Sequence, residues 1–359
     1  MSQEENSSGQ GSSPTENAAE TETKDMSFAR EDELIKVSAN DIIPGLALPS
    51  DVYIRLPTGR FVMVAKKGAK SSIHDLHAAE SNKEVSFYVR KSEFLHCVDQ
   101  NIKIAGILSR KTDIPVERRT EFLKIAVDSV FKEIEFLGFQ AKALDQARIT
   151  INSVMSIIHS KEDYVRLLHK INELPGSYVK DALAVSALAV LIGRKMGWGQ
   201  AGSLEKLALG GMLRDVGLKE ISQEILDKPR KDMTADERIT WETHPYRGAE
   251  ILRTIPGVPF EVIAMTLEHH ENALGVGFPR RVRDYKMNPY SKIVCLADAF
   301  VELTIKRDGE PSRSPVDAIH HLEFVMGMPY NKSCMLALKK SLELDDQSLL
   351  GTDRRKMAA

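Results

Sequence analysis

The chain has 359 residues, of which 42% are hydrophobic and 28% are charged, and its formal net charge is −2. This composition is typical of a globular protein, and the length allows two domains and a tail. The balanced charge lacks the basic footprint of a nucleic-acid-binding protein, so we expect no nucleic-acid partner.

The cysteines and the N-terminal residues indicate a reducing compartment. Cys97, Cys295 and Cys334 stand at unrelated spacings, which predict neither a disulfide framework nor a CxxC site. The first ten residues, MSQEENSSGQ, are acidic and polar, unlike a signal peptide. The longest apolar run, 182–192, is too short to span a bilayer and predicts a buried helix. We therefore expect a cytoplasmic protein without a membrane segment.

A disordered leader is predicted at the start of the chain. Residues 1–35 are rich in Glu, Ser and Thr and contain few apolar side chains to bury.

A small, mainly β domain is predicted over 36–100. The alternating run DVYIRL places Val52, Ile54 and Leu56 on one face of a strand. A Pro-Thr-Gly turn and the run RFVMVAKKG follow, which together predict a hairpin. The run VSFYVR, at 85–90, predicts a further strand.

From about residue 113 the apolar residues recur at spacings of three and four, which is typical of helices. Such stripes lie in the segments 122–137, 144–158 and 164–174. We therefore expect a helical connector over 101–174, an all-α domain over 175–345 and a flexible tail over 346–359.

Candidate metal ligands are spread over several segments of the helical half. They are Asp215, His244, the pair His269–His270, and Asp298. Imidazole with carboxylate suits a divalent ion of iron, manganese, zinc or nickel. Any one of these histidines alone would be read as a structural residue, but the set lies within recognisable motifs.

These motifs resemble those of the HD-GYP family, metal-dependent phosphodiesterases that hydrolyse cyclic di-GMP. Arg214-Asp215-Val216-Gly217-Leu218 is similar to the family's HDxGK, and His269 to Pro279 is similar to HHExxDGxGYP. The elements ILxKP, at 225–229, and HPxxG, at 244–248, are also present. The resemblance covers about 175–345. It implies an α+β protein in which an HD-superfamily helical bundle follows the small β domain.

The chain departs from the family pattern at positions that matter for chemistry. Alanine stands at 182, where the family has an upstream metal-binding histidine, and Arg214 replaces the histidine of the HD dyad. Leu218 replaces a lysine that contacts phosphate in the family, and Phe278 replaces the tyrosine. A methyl group and a guanidinium cannot coordinate a metal ion.

The resemblance divides the ligands between two metal ions. One set corresponds to Asp215, His244, His269 and His270, which are all present. The other corresponds to the upstream position, the HD dyad and Asp298, and two of its members are lost. We therefore expect one divalent metal ion and no second one. Arg214 should pair with Asp215 or Asp298, because a buried carboxylate without compensation is unfavourable.

The resemblance also implies a ligand, cyclic di-GMP or a related nucleotide. The expected binding positions are Arg214, Lys292, Gly275 and Gly277, and a protein partner is an alternative occupant through the loop 275–279. Two hypotheses for the function remain. One is a catalytically impaired signalling module, and the other is a metal-dependent phosphodiesterase that hydrolyses cyclic di-GMP. The losses at Ala182, Arg214 and Leu218 favour the first.

Overall fold

The structure is a computed structural model that describes residues 30–37, 47–69, 86–172, 177–305 and 312–344. Most of the predicted disordered leader, and all of the predicted flexible tail, lie outside these residues. The protein has the α+β architecture expected, with a small antiparallel sheet in front of a helical bundle.

The sheet has four strands in the order β1-β4-β2-β3, and every pairing is antiparallel. The strands are β1 (Leu34–Val37), β2 (Val52–Arg55), β3 (Phe61–Ala65) and β4 (Phe87–Arg90). The predicted hairpin is confirmed as the β2–β3 pair, and the strand predicted at 85–90 is confirmed as β4. The sequence analysis missed β1, a four-residue strand that begins inside the expected leader.

Both faces of the sheet carry buried apolar side chains, which the alternation in β2 did not predict. Val52 and Ile54 share the face that joins the main core, whereas Leu56, predicted on the same face, lies beyond the strand and is exposed. Tyr53 is fully buried on the opposite face, where it packs with Leu34 and Phe61.

The helices follow the sheet in an almost unbroken series. They are α1 (Lys91–Leu108), α2 (Val116–Leu137), α3 (Ala141–Ile157), α4 (Lys161–Asn172), α5 (Ser177–Lys195), α6 (Ala201–Leu213), α7 (Gln223–Leu226), α8 (Ala235–Trp241), α9 (His244–Arg253), α10 (Phe260–Glu268), α11 (Pro289–Thr304), α12 (Pro315–His320) and α13 (Lys332–Ser341). Short 3₁₀ segments, Val216–Glu220 and Arg230–Asp232 among them, link the helices around the candidate site.

The first helix, α1, begins at Lys91, inside the range 36–100 expected for the mainly β domain. Phe94, Val98, Ile102 and Ala105 are buried along one side of α1, at helical spacings of three and four. The helical signal was therefore present in the sequence, hidden behind the polar residues between these positions.

One continuous hydrophobic core joins the sheet to the helices. It runs from Val37 on the sheet to Leu342 after α13, and it includes the apolar run 182–192 of α5. That run is buried throughout, as predicted. Among the described residues, no helix is both long and apolar enough to cross a membrane. The helices of the connector and the later helices thus share one hydrophobic core.

A cavity at the sheet end of this core should destabilise the helical half as well. We expect Ile102→Ala in α1 to lower the free energy of unfolding by about 2–5 kcal/mol, because Ile102 is buried in the shared core. Both tryptophans, Trp198 and Trp241, lie in the helical half, so their fluorescence reports unfolding there.

The measurement is urea denaturation followed by tryptophan fluorescence. Ile107→Ala is the matched control, because Ile107 lies on the same helix and is 55% exposed. A fluorescence midpoint that does not move in Ile102→Ala would show that the two halves unfold independently.

Candidate metal centre

Four of the sequence-predicted ligands come together from three parts of the bundle. Asp215 lies two residues after the end of α6, His244 is the first residue of α9, and His269 and His270 directly follow α10. One potential ligand atom from each lies within 4.8 Å of those of the others. We call these residues the histidine–aspartate quartet.

The approach of two helix ends depends on Gly217. A Cβ atom at Gly217 would lie 2.1 Å from the carbonyl oxygen of His244 and 2.5 Å from the backbone nitrogen of Gly248. Only glycine allows this contact between the 3₁₀ segment after Asp215 and the start of α9. The glycine of the HD-like motif therefore places Asp215 beside His244.

Glycine and a buried carboxylate shape the loop that follows the paired histidines. A Cβ atom at Gly277 would lie 2.3 Å from the carbonyl oxygen of His270. The buried carboxylate of Glu271 accepts hydrogen bonds from the backbone N–H groups of Arg280 and Val282, at 2.6 Å and 3.0 Å. Glu271 thus anchors the loop, a role that the motif alone did not reveal.

Glu268 makes a second anchor that the sequence analysis missed. Its buried carboxylate accepts from the backbone N–H of Asn288 at 2.8 Å and forms a salt bridge with Arg280. It therefore connects the end of α10 to the start of α11. A buried acidic residue one position before the histidine pair was the available signal.

The imidazole rings of His244 and His269 are fixed by backbone carbonyls. Nδ1 of His244 donates to the carbonyl of Trp241 at 2.8 Å, and Nδ1 of His269 donates to that of Thr266 at 2.7 Å. Because a carbonyl can only accept, each Nδ1 carries a hydrogen. In the neutral rings each Nε2 is then a lone-pair acceptor that faces the quartet.

Three acceptors consequently converge on one point. The two Nε2 atoms lie 3.1 Å apart, and they are 3.4 Å and 3.3 Å from Oδ1 of Asp215. Lone pairs directed at one another are unfavourable unless a proton or a cation lies between them. The donor set is one that suits a divalent transition metal, and the Nδ1–carbonyl bonds supply the outer support that such ligands require. The quartet therefore fits a metal ion.

Arg214 occupies the side of Asp215 that faces away from the histidines. Its Nη2 lies 2.9 Å from Oδ2 of Asp215, its Nε lies 2.7 Å from Oδ1 of Asp298, and its Nη1 donates to the carbonyl of Gly211 at 2.9 Å. The guanidinium is buried, and each of its three nitrogens is engaged. The expected pairing is present, with both carboxylates. The same geometry argues against the expected role of Arg214 in ligand binding.

Burial and charge set the protonation of the site. Burial raises the pKa of a carboxyl, but the charge of Arg214, together with the nearby imidazoles, outweighs it and holds the pKa of Asp215 well below its usual range. Burial lowers the pKa of His244, and burial together with the neighbouring imidazoles lowers that of His270 strongly. The site thus favours an ionised Asp215 beside neutral imidazoles of His244 and His270, the forms that bind metals.

The remaining predicted positions lie outside the histidine–aspartate quartet. Ala182 is buried in α5, and Leu218 is half-buried in the 3₁₀ segment. Lys292 forms a salt bridge with Asp284 at 3.0 Å. Gly275 has a φ of +74° in the loop.

An aromatic side chain covers one side of the quartet. The indole of Trp241 lies 4.8 Å from the ring of His244 and 5.4 Å from that of His270, between ring centroids. Phe278 packs against His270 at 4.5 Å, so the ring that replaces tyrosine keeps a contact with the site. Arg230 lies over the outer face of this cluster, 4.3 Å from the centroid of Trp241.

The helical half of the chain is similar to known proteins. A family described as HD domain matches residues 154–330. The 3'3'-cGAMP-specific phosphodiesterase 3 of Vibrio cholerae serotype O1 is 33% identical over 142 residues, which are 38% of this chain and 30% of that protein. The Cyclic di-GMP phosphodiesterase PA4108 of Pseudomonas aeruginosa is 26% identical over 141 residues, 39% of this chain and 34% of that protein. The matches span about a third of these relatives.

A solved structure has a similar fold. Bd1817 from Bdellovibrio bacteriovorus, described as a HDG"Y"P protein, matches with a TM-score of 0.63 and 17% sequence identity. The match covers 86% of this chain and 99% of that chain, so it includes residues outside 154–330. At this identity the comparison establishes the fold alone.

Removal of the buried guanidinium should destabilise the protein. We expect Arg214→Ala to lower the free energy of unfolding by about 3–5 kcal/mol, because two largely buried carboxylates lose their partner. Adding Asp298→Asn to this variant should restore part of the loss, as a double-mutant cycle measures. Arg247→Ala is the control, since Arg247 forms a partly exposed pair with Glu220. Equal stability of Arg214→Ala and the wild type would contradict the pairing.

The stability of the metal-free protein should depend on pH through the buried histidines. The folded-state pKa values of His244 and His270 lie below the unfolded value of about 6.5, so the unfolded chain binds more protons as the pH falls below that value. Their contribution to stability is complete above about pH 6.5 and is lost as the pH falls towards their folded-state pKa values.

Urea denaturation in chelator between pH 8 and pH 5 measures this dependence. As the pH falls, we expect the free energy of unfolding to decrease less in His270→Gln than in the wild type. His96→Gln removes an exposed imidazole from α1 and serves as the control. The aspartate cannot produce the same effect, because the depressed pKa of Asp215 confines its loss to pH values below about 4. Identical slopes for His270→Gln and the wild type would refute this account.

Proposed function

We propose that this chain, whose residues 154–330 belong to the HD domain family, is a catalytically impaired protein of HD-GYP type that binds a cyclic dinucleotide. In this proposal it holds one divalent ion at the histidine–aspartate quartet. Such an ion supplies Lewis-acid polarisation of a phosphoryl oxygen when bound.

The position of Arg214 carries the proposal. Its guanidinium is held between Asp215 and Asp298, the two carboxylates that the family pattern associates with a second ion. Repulsion between like charges disfavours a cation in the same space, and Ala182 offers no ligand there. The site keeps the groups that hold one ion and lacks those for the two-ion clamp of phosphodiester hydrolysis.

The residues of the quartet act by orientation in this proposal. His244 and His269 present their Nε2 atoms because their Nδ1 atoms are engaged with carbonyls. Asp215 supplies the negative charge, and Arg214 keeps that carboxylate ionised. The ligand class is a 3'3'-cyclic dinucleotide, since the relatives are named for cGAMP and cyclic di-GMP.

Two features favour other functions for the same fold. The quartet itself favours the alternative of a metal-dependent phosphodiesterase, because one ion polarises a phosphoryl oxygen without a partner ion. The loop 275–279 offers a surface to a protein partner, since Val276 is 73% exposed and Leu274 beside it is 51% exposed. The metal content of the protein and an assay of cyclic di-GMP hydrolysis distinguish the impaired protein from an active phosphodiesterase.

We expect protein purified without chelator to hold at most one divalent ion, and Asp215→Asn to lose it, because Asp215 provides the only carboxylate of the quartet. Elemental analysis measures both.

We also expect binding of cyclic di-GMP without hydrolysis above background in manganese or ferrous iron. Two ions per chain, or metal-dependent hydrolysis by the wild type, would refute the impaired reading.

The combined variant Ala182→His, Arg214→His and Leu218→Lys tests whether restoring the lost residues restores a second ion and hydrolysis. It replaces a methyl group and a guanidinium with imidazoles and adds a cation, so we expect a second ion and some hydrolysis. The gain should be partial where the outer hydrogen bonds of a metal site are missing. A variant that folds but still holds one ion would show that the cavity is remodelled, which favours the protein-binding alternative.

A further inference from the structure

The two basic residues expected to bind the ligand, Arg214 and Lys292, form salt bridges with carboxylates of the chain. Arg214 is buried between two carboxylates, Lys292 is paired with Asp284, and Leu218 carries no charge. An anionic ligand at the quartet therefore needs another partner, because two or more negative charges are poorly accommodated without one.

Arg230 is placed to be that partner. Its guanidinium stacks on Trp241 at 4.3 Å, and the indole in turn lies against His244 and His270 of the quartet. One aromatic ring therefore separates the guanidinium from two of the candidate metal ligands. The stacking also holds the guanidinium plane while leaving its N–H edges available for hydrogen bonds.

The present partner of Arg230 is a carboxylate that can be exchanged. Nη1 of Arg230 lies 2.7 Å from Oε1 of Glu302, and their side chains are 50% and 38% exposed. Exposed ion pairs of this kind contribute little net stability. Glu302 lies one helical turn after Asp298 on α11, so the exchangeable carboxylate is on the side of α11 that faces the site.

The base of this arrangement is rigid. Trp241 is the last residue of α8, whose start is fixed by a capping box between Thr234 and Glu237. The carbonyl of Trp241 accepts the hydrogen bond from His244, so the indole and a quartet member share one backbone support. A guanidinium on such a ring needs only a side-chain rotation to exchange its partner.

We propose that Arg230 binds a phosphate group of the anionic ligand at the quartet. Without that ligand, its guanidinium stacks on Trp241 and forms a salt bridge with Glu302. The guanidinium leaves the carboxylate of Glu302 and makes paired N–H···O bonds to the phosphate, for which its planar fork is suited. The ligand class is a phosphate ester or a phosphoanhydride. The assignment of a cyclic dinucleotide as that ligand rests on the proposed function, whereas the phosphate site does not.

The test uses the full-length chain with Trp198→Phe as the background, which leaves Trp241 as its only tryptophan. Pyrophosphate and cyclic di-GMP are titrated separately, and both the fluorescence of Trp241 and the heat of binding are recorded. Binding should change the fluorescence, since the guanidinium on the indole changes its partner.

Three variants of this background separate the effects of Arg230 and Glu302 on the affinity for the two probes. We expect Arg230→Gln to weaken binding of both probes by about tenfold or more, because bonds from a charged donor to the phosphate are lost. Glu302→Gln should tighten binding by a few-fold, because the competing carboxylate is gone. Arg253→Gln is the matched control, since Arg253 is 46% exposed and pairs with Glu250 on α9, and it should leave both affinities unchanged.

The outcomes distinguish this inference from the proposed function. Cyclic di-GMP binding that is equal in Arg230→Gln and the background would overturn the role of Arg230 and leave the proposed function standing. Arg230-dependent binding of pyrophosphate, with no binding of cyclic di-GMP, would support the phosphate site and overturn the proposed ligand. Binding of neither probe would overturn both. A thermal midpoint of Arg230→Gln close to that of the background confirms that the variant is folded.

Discussion

The candidate site depends on one buried guanidinium between two carboxylates. Asp215 directs Oδ2 to Arg214 and Oδ1 to the imidazoles of His244 and His269, so the carboxylate joins the guanidinium to the two rings. On one side the positive charge is a permanent part of the chain. A buried charge of this kind persists only with full compensation, and the two aspartates and the carbonyl of Gly211 provide it.

This arrangement explains how an altered motif coexists with a well-formed quartet. The salt bridge with Arg214 fixes the carboxylate of Asp215, and backbone carbonyls fix two of the imidazoles. The ligand-like geometry of the quartet therefore does not depend on the upstream histidine position, where Ala182 stands. The surrounding glycines and the buried Glu271 support the backbone around the quartet.

The sequence predicted much of this structure, and the failures have physical causes. Motif residues such as His244 and His270 were placed together correctly, because their chemistry and order are specific to one arrangement. The short strand β1 was missed since four residues carry too little periodicity, and the first part of α1 was assigned to the β domain because polar residues separate its buried positions. The roles of Glu268, Glu271 and Trp241 arise from contacts between distant segments, which a linear pattern does not encode.

The continuous core has a practical consequence for handling the protein. The HD match begins inside α3, yet α2, α3 and α4 contribute buried side chains to the same apolar interior as α5. A fragment that starts near residue 175 would expose the apolar surface that those helices cover, and exposed patches of this kind promote aggregation. The sheet and connector are therefore poor candidates for excision or for transplantation onto another protein, and chimaeras should retain the chain from β1 onward.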